Sequence, residues 1–255
     1  MVEGLEKFKE HFAGLEDCFV LIGGAACDVW MGESGLEFRA TKDLDLVLIV
    51  EALRVEFFER FWVFVKNGKY QSLQRSGQTP EFYRFKKPKA AGYPFMIELL
   101  SRNKLGPPDG VHLTPIPADE DISSLSAILL NDVYYSYVKE TKQSVDGVPI
   151  APAWCLIPLK ARAYLDLVKR REDGDTRVKG DDIKKHRYDV FRIYRTLTPA
   201  ERHNLPDLLK TDLARFLATL PEQSEEWVNV RQAVGADNLP EPAEIIRQLN
   251  EIFQL

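Results

Sequence analysis

At 255 residues the chain is long enough for one large domain or two smaller ones, and its 45% hydrophobic and 29% charged content is that of an ordinary soluble globular protein. No apolar run approaches membrane-spanning length. The opening stretch MVEGLEKFKEHFAGLEDC lacks a basic start followed by an apolar core, which argues against a secretory signal and for a cytoplasmic protein with no membrane partner. Cys18, Cys27 and Cys155 are scattered in apolar surroundings and read as reduced core residues, and four histidines without a CxxC pair leave little for structural zinc. The net charge of −5 hides segregation. From Lys66 to Lys104 nine basic residues oppose two acidic ones, from Pro158 to Arg195 twelve oppose seven, and from Pro199 to Leu255 five oppose ten. Two basic blocks in an acidic chain are either a local polyanion site or solvated surface.

Leu5, Phe8, Phe12 and Leu15 recur at spacings of three and four, which predicts an amphipathic helix over residues 3–15 that covers a sheet face. The run from Phe19 to Val50 then reads as a strand, a Gly23-Gly24 turn, a short helix, a connection and a second strand opening with Asp43 and Asp45. Glycines between strand and helix permit a tight turn and leave backbone N–H groups at the helix start, where phosphate binds well. Asp43 and Asp45 alternate with Leu44 and Leu46, so both carboxylates project from one face. A divalent cation between them would offset their repulsion. The other reading starts the strand at Leu44 and leaves two solvated aspartates.

Ala52 to Val65, rich in Phe and Trp at helical spacings, predicts a core helix ended by Asn67-Gly68. Tyr70 to Arg75, Glu81 to Phe85 and Tyr93 to Ser101 predict antiparallel strands added to the sheet. In the third, Glu98 shares a face with Met96 and Leu100, where a carboxylate is rarely left unpaired. Its partner is either Arg84 or Arg102 across the sheet, or a metal. Residues 106–124 predict a loop around a short strand at Val111 to Ile116. Val133 to Ile150 reads as a hairpin turning at Asp146-Gly147, in which Tyr134, Tyr135 and Tyr137 could line an aromatic pocket. Pro149, Pro152 and Pro158 mark the passage into a region with almost no strand signal, so the domains are taken as 1–151 and 152–255.

Pro158 starts, or nearly starts, a helix running to about Arg171, with Leu156, Ala163, Tyr164 and Leu167 on its inner face if it begins a turn early. Lys160 falls in the middle of that stripe and needs an anionic partner or a snorkelling route to water. After Asp173-Gly174-Asp175 a second helix runs from about Asp181 to Leu197. Its buried stripe is Ile183, Val190, Ile193, Tyr194 and Leu197, while Asp182, His186 and Asp189 share one side. Asp189 lies at the stripe's edge, where a domain cleft would open, and His186 reads most simply as a hydrogen-bonded core residue. Helices near Pro199 to Leu220, Glu222 to Val234 and Pro242 to Phe253 carry no chemical motif. The fold class is therefore α/β in the α+β sense, a mixed sheet flanked by helices and followed by an all-helical domain.

The glycine pair after the first strand and the Asp-x-Asp on the next resemble the signature of the DNA polymerase β-type nucleotidyltransferase superfamily. GGAA followed by Arg39-x-Thr41-x-Asp43-x-Asp45-Leu46 looks most like its AbiEii-type toxin branch. Eighteen residues separate Gly24 from Asp43, more than is usual in that family, and the surplus is placed at Met31 to Leu36. The resemblance implies that Asp43, Asp45 and Glu98 hold one or two Mg²⁺ ions and that Gly23 and Gly24 contact the phosphates of a nucleoside triphosphate. It also implies that Lys160, in the motif Lys160-Ala-Arg-Ala-Tyr-Leu, neutralises the triphosphate, and that Asp189 orients the acceptor or the lysine. Arg39 and Lys42 would serve the phosphates too. The family's lysine-aspartate pair followed three residues later by another aspartate is only partly kept in Lys185-His186-Arg187-Tyr188-Asp189, where His186 replaces the first aspartate.

The function so implied is a magnesium-dependent, toxin-like transfer of a nucleoside monophosphate to a hydroxyl of RNA, such as tRNA, or of protein, with the active site between the domains and an antitoxin as possible partner. Two alternatives stand beside it: an aminoglycoside-type small-molecule nucleotidyltransferase, and a catalytically inactive binding protein of the same fold.

Overall fold

Four consecutive apolar residues, Phe19–Ile22, form the strand β1, buried on both faces. The computed structural model describes residues 2–71, 82–100, 131–235 and 239–255. Two compact units divide the chain, Met1–Pro152 and Ala153–Leu255.

In the first unit β1 pairs antiparallel with β2 (Asp43–Leu48). Six strands among the described residues make one sheet in the order β3-β4-β2-β1-β6-β5, with β3 Phe82–Lys86, β4 Met96–Leu100, β5 Gln143–Val145 and β6 Val148–Ile150. The expectation of added antiparallel strands is corrected at one pair: β4 runs parallel to β2 and antiparallel to β3. Between β2 and β4 the chain passes through a helix, α3 (Val55–Gly68), and then β3, which runs opposite to β2, so the reversal from β3 into β4 brings the chain back to the direction of β2. Of the strand expected at Tyr70 to Arg75, Tyr70 and Gln71 are described, and Gln71 makes an isolated bridge to Lys86. The loop and strand expected within 106–124 lie outside the described residues.

One sheet face is sealed by aromatic residues. Phe8 of α1 (Leu5–His11) and Phe12 just after it pack on Phe19, Phe57 also packs on Phe19, and Phe61 packs edge-on against Phe85. Helix α1 is shorter than expected because a positive-φ glycine, Gly14, turns the chain two residues past Phe12, yet Leu5, Phe8, Phe12 and Leu15 are all buried.

Helix α2 (Gly23–Glu33) fills the connection after β1. Its end is set by Gly35 at φ +67°, where the Gly35 N–H meets Gly32 C=O at 2.9 Å and the Leu36 N–H meets Met31 C=O at 2.8 Å. These two bonds are the double closure of a Schellman cap, so the surplus residues of the long glycine-to-aspartate gap begin with an ordered helix end.

The segment from Val133 is not a hairpin arm but a helix, α4 (Asp132–Thr141). Asn131 caps it, its side chain accepting from the Val133 N–H at 3.0 Å. Tyr134, Tyr135, Tyr137 and Val138, spaced for one helical face, are buried, so these tyrosines belong to the core of the first unit. The hairpin is confined to β5 and β6, with Asp146 and Gly147 both at positive φ in its two-residue turn.

The second unit contains the helices α5 (Ala153–Glu172), α6 (Gly180–Tyr194), α7 (Asp207–Ala218), α8 (Glu226–Val234) and α9 (Pro242–Phe253). Helix α5 starts five residues before Pro158, which lies inside it. The lost backbone bond is offset by burial of Cys155, Leu156, Ile157 and Leu159 around the proline.

Candidate functional site

The pairing register places four residues in one row across the first unit's sheet. Ile22 of β1 stands opposite Asp45, Asp45 beside Glu98 of β4, and Glu98 opposite Arg84 of β3. Residues paired directly share a face, so Asp45, Glu98 and Arg84 project to the same side, and Asp43 joins them two positions along β2. Strand β2 begins at Asp43, which settles the strand's start against Leu44, and both aspartates are half-buried between the fully buried Leu44 and Leu46.

Gly23 opens α2 at φ +69° and is where the helix meets this row. A β-carbon on it would lie 1.8 Å from Asp45 Oδ2, so only glycine allows the carboxylate to approach the helix start this closely. Gly24 is packed by Thr41, whose Oγ1 would be 2.6 Å from a β-carbon at that position, and the Arg39 guanidinium lies beyond it. Arg39 also rests over the Phe38 ring at 4.9 Å. Lys42 is exposed, and its carbonyl accepts from the Phe95 N–H at 3.1 Å. The residues named for phosphate, Gly23, Gly24 and Arg39, thus gather at the α2 N-terminus, and Thr41 joins them. Thr41 stood in the motif without an assigned role, and only the close packing of Gly24 identifies it.

Glu98 has the arginine neighbour that was one of its two possible partners. It is 1% exposed and takes two bonds from Arg84, Nε to Oε2 and Nη2 to Oε1, both 3.2 Å. Among the described residues no group of three or more His, Cys, Asp and Glu side chains is placed to hold a metal ion. The donor chemistry fits a narrower site. Mg²⁺ is commonly held by one or two carboxylates, with waters and substrate phosphates completing its shell, and Asp43 and Asp45 on one face supply that pair.

Lys160 and Asp189 do come together, inside the second unit. Lys160 Nζ lies 3.1 Å from Asp189 Oδ2, with the two side chains 1% and 0% exposed, and Arg192 Nη1 lies 3.0 Å from Asp189 Oδ1. This overturns the snorkelling reading of Lys160, and its charge is engaged in bracing α5 against α6. His186 is buried on α6. The basic block of this unit is largely spent on internal pairs: Arg162 with Asp212, Arg170 and Arg177 with Asp175, and Arg187 with Glu226. The two arginines beside Asp175, Arg177 foremost, hold its carboxyl well below the usual range. Asp175 is already counted in the +5 of this segment, and Arg171, Lys179 and Lys184 are exposed. In the block from Lys66 to Lys104, Arg84 is committed to Glu98, and Arg75, Arg102 and Lys104 lie outside the described residues.

Tyr135 makes a further polar link that sequence reading missed. Its hydroxyl donates to Glu51 Oε2 at 2.7 Å and accepts from the Val50 N–H at 3.0 Å. That bond, with smaller help from Lys139, lowers the Glu51 carboxyl to about 2.

No family profile and no curated protein matches the chain. Among solved structures it is similar to one described as an antigenic nucleotidyltransferase-like protein from Paracoccidioides brasiliensis, 16% identical, with a TM-score of 0.44 over 91% of this chain and 90% of that one. No helix among the described residues is long and apolar enough to cross a membrane.

Proposed function

We propose that the chain is a nucleotidyltransferase whose nucleotide site is the row of acids on β2 together with the start of α2. The observation that carries this reading is the approach of Asp45 Oδ2 to Gly23, which sets a carboxylate pair beside a helix N-terminus flanked by Arg39 and Thr41. The N–H groups of a helix start favour phosphate oxygens, and carboxylates so close to them call for a cation between protein and phosphate. Asp43 and Asp45 would hold a divalent ion, which when bound lowers the pKa of an acceptor hydroxyl and neutralises phosphate charge. Gly23 and Gly24 supply backbone donors, and Arg39 and Lys42 supply charge near the same end of the helix. Transfer of this kind depends on positioning and electrostatics, so no covalent nucleophile is needed.

The acceptor is the finer part of the proposal: a hydroxyl of RNA or protein, in a toxin-like enzyme held in check by a partner. An aminoglycoside-type acceptor would call for an aromatic-lined pocket, and Tyr134, Tyr135 and Tyr137 are buried in the first unit. A second reading, a nucleotide-binding protein without transfer, is favoured by the Arg84 bond pair to Glu98. Incubation with each labelled ribonucleoside triphosphate, Mg²⁺ and total cell RNA and protein tests the first reading. Label incorporated by wild type and absent with Asp45→Asn supports transfer, and magnesium-dependent binding without incorporation or pyrophosphate release supports the second.

A further inference from the structure

Asp45 and Glu98 are neighbours on parallel strands, their backbones about 4.8 Å apart. Two carboxylates placed so on one face repel, and the inner one, Glu98, is almost fully buried. A buried carboxylate beside another acid needs positive charge. In this chain the charge comes from the next strand: Arg84, opposite Glu98 in register, lays its guanidinium along both carboxylate oxygens, and their side chains are 8% and 2% exposed. The planar fork of arginine matches a carboxylate and cannot lose its proton, so this charge is permanent.

We propose that Arg84 stands in for a second cation at Glu98, so that the chain takes a single divalent ion, on Asp43 and Asp45. This rests on the nucleotide-site reading above and narrows it from one or two ions to one. The proposal accounts for two facts together: Glu98 lies in the acidic row, and no three-residue metal cluster is found among the described residues. A guanidinium bonded through two N–H groups occupies the oxygens a second ion would need. Removing it takes away the positive charge that balances Glu98 in the acidic row and leaves the oxygens it held to a divalent ion.

The test counts Mn²⁺ bound per chain from the electron paramagnetic resonance signal of the free ion, alongside thermal melts with and without Mn²⁺. The full chain is compared with its Arg84→Gln, Arg84→Gln/Glu98→Gln and Asp43→Ala/Asp45→Ala variants. The expected result is one ion for wild type, none for the aspartate variant, two for Arg84→Gln and one for the double glutamine variant, with Mn²⁺ raising the melting temperature of Arg84→Gln more than that of wild type. If wild type binds none and Arg84→Gln binds one, the substitution of arginine for metal stands and the metal role of Asp43 and Asp45 falls. Two ions on wild type overturn the proposal and leave the nucleotide reading intact. A folded Arg84→Gln that binds no more than wild type overturns it as well. If Arg84→Gln folds only with Mn²⁺, the cation is replacing the guanidinium as proposed, and if Mn²⁺ fails to recover its fold the proposal is overturned.

Discussion

Gly23 and Asp45 touch across the junction of β1, α2 and β2, so closely that any side chain at residue 23 would collide with the aspartate's Oδ2. Two costs fall on Gly23→Ala. Residue 23 sits at φ +69°, where an L side chain is strained by about 1–3 kcal/mol, and the new methyl displaces the carboxylate. Urea unfolding is expected to show that loss, and triphosphate binding is expected to weaken further than in a variant of equal stability loss made elsewhere, such as Ile245→Val in the second unit.

Lys160 and Asp189 form the sealed pair of the helical unit. Lys160→Met leaves Asp189 with Arg192 as a cationic neighbour and is expected to destabilise the chain by about 1.5–3 kcal/mol, since a buried carboxylate loses one charge-assisted bond. Lys160→Met/Asp189→Leu removes both charges and is expected to recover part of that loss. Denaturant midpoints of the two variants measure it. An unchanged midpoint for Lys160→Met would deny the pair any bracing role.

The Tyr135 hydroxyl gives a pH signature. The Glu51 carboxyl is lowered from its ordinary 4.5 to about 2 in the folded chain, chiefly by that hydrogen bond. A depressed carboxyl contributes stability that is fully present above the ordinary value and is lost as pH falls through about 2. Wild type is therefore expected to lose stability between pH 4.5 and pH 2 more steeply than Glu51→Gln, measured by thermal melts across that range. Parallel curves would contradict the assignment. Tyr135→Phe is expected to flatten the curve in the same way.

Alternation and periodicity carried the parts of this fold that depend on local pattern. Asp43-Leu44-Asp45-Leu46 places both acids on one face because a strand's period is two, and the Phe8, Phe12, Phe57, Phe61 cluster followed from helical spacing. Where pattern is ambiguous, the reading failed. Tyr134, Tyr135, Tyr137 and Val138 are residue types that favour strands, and only the cap from Asn131 and burial on one helical face reveal α4. The parallel course of β4 follows from the reversed strand β3 that precedes it and not from its own residues. A net charge total does not show which arginines of the helical unit have an internal acid, as Arg162, Arg170 and Arg187 do. Glu98 reads from the sequence as a charge that needs a partner, and the register sets Arg84 opposite it.

Isothermal titration of each ribonucleoside triphosphate into wild type and into Asp43→Ala/Asp45→Ala, with and without Mg²⁺, tests the central claim most directly. Binding that needs Mg²⁺ and is lost in the variant is the predicted result. No binding of any triphosphate to folded wild type, or equal binding by the variant, would contradict a nucleotide site at Asp43 and Asp45.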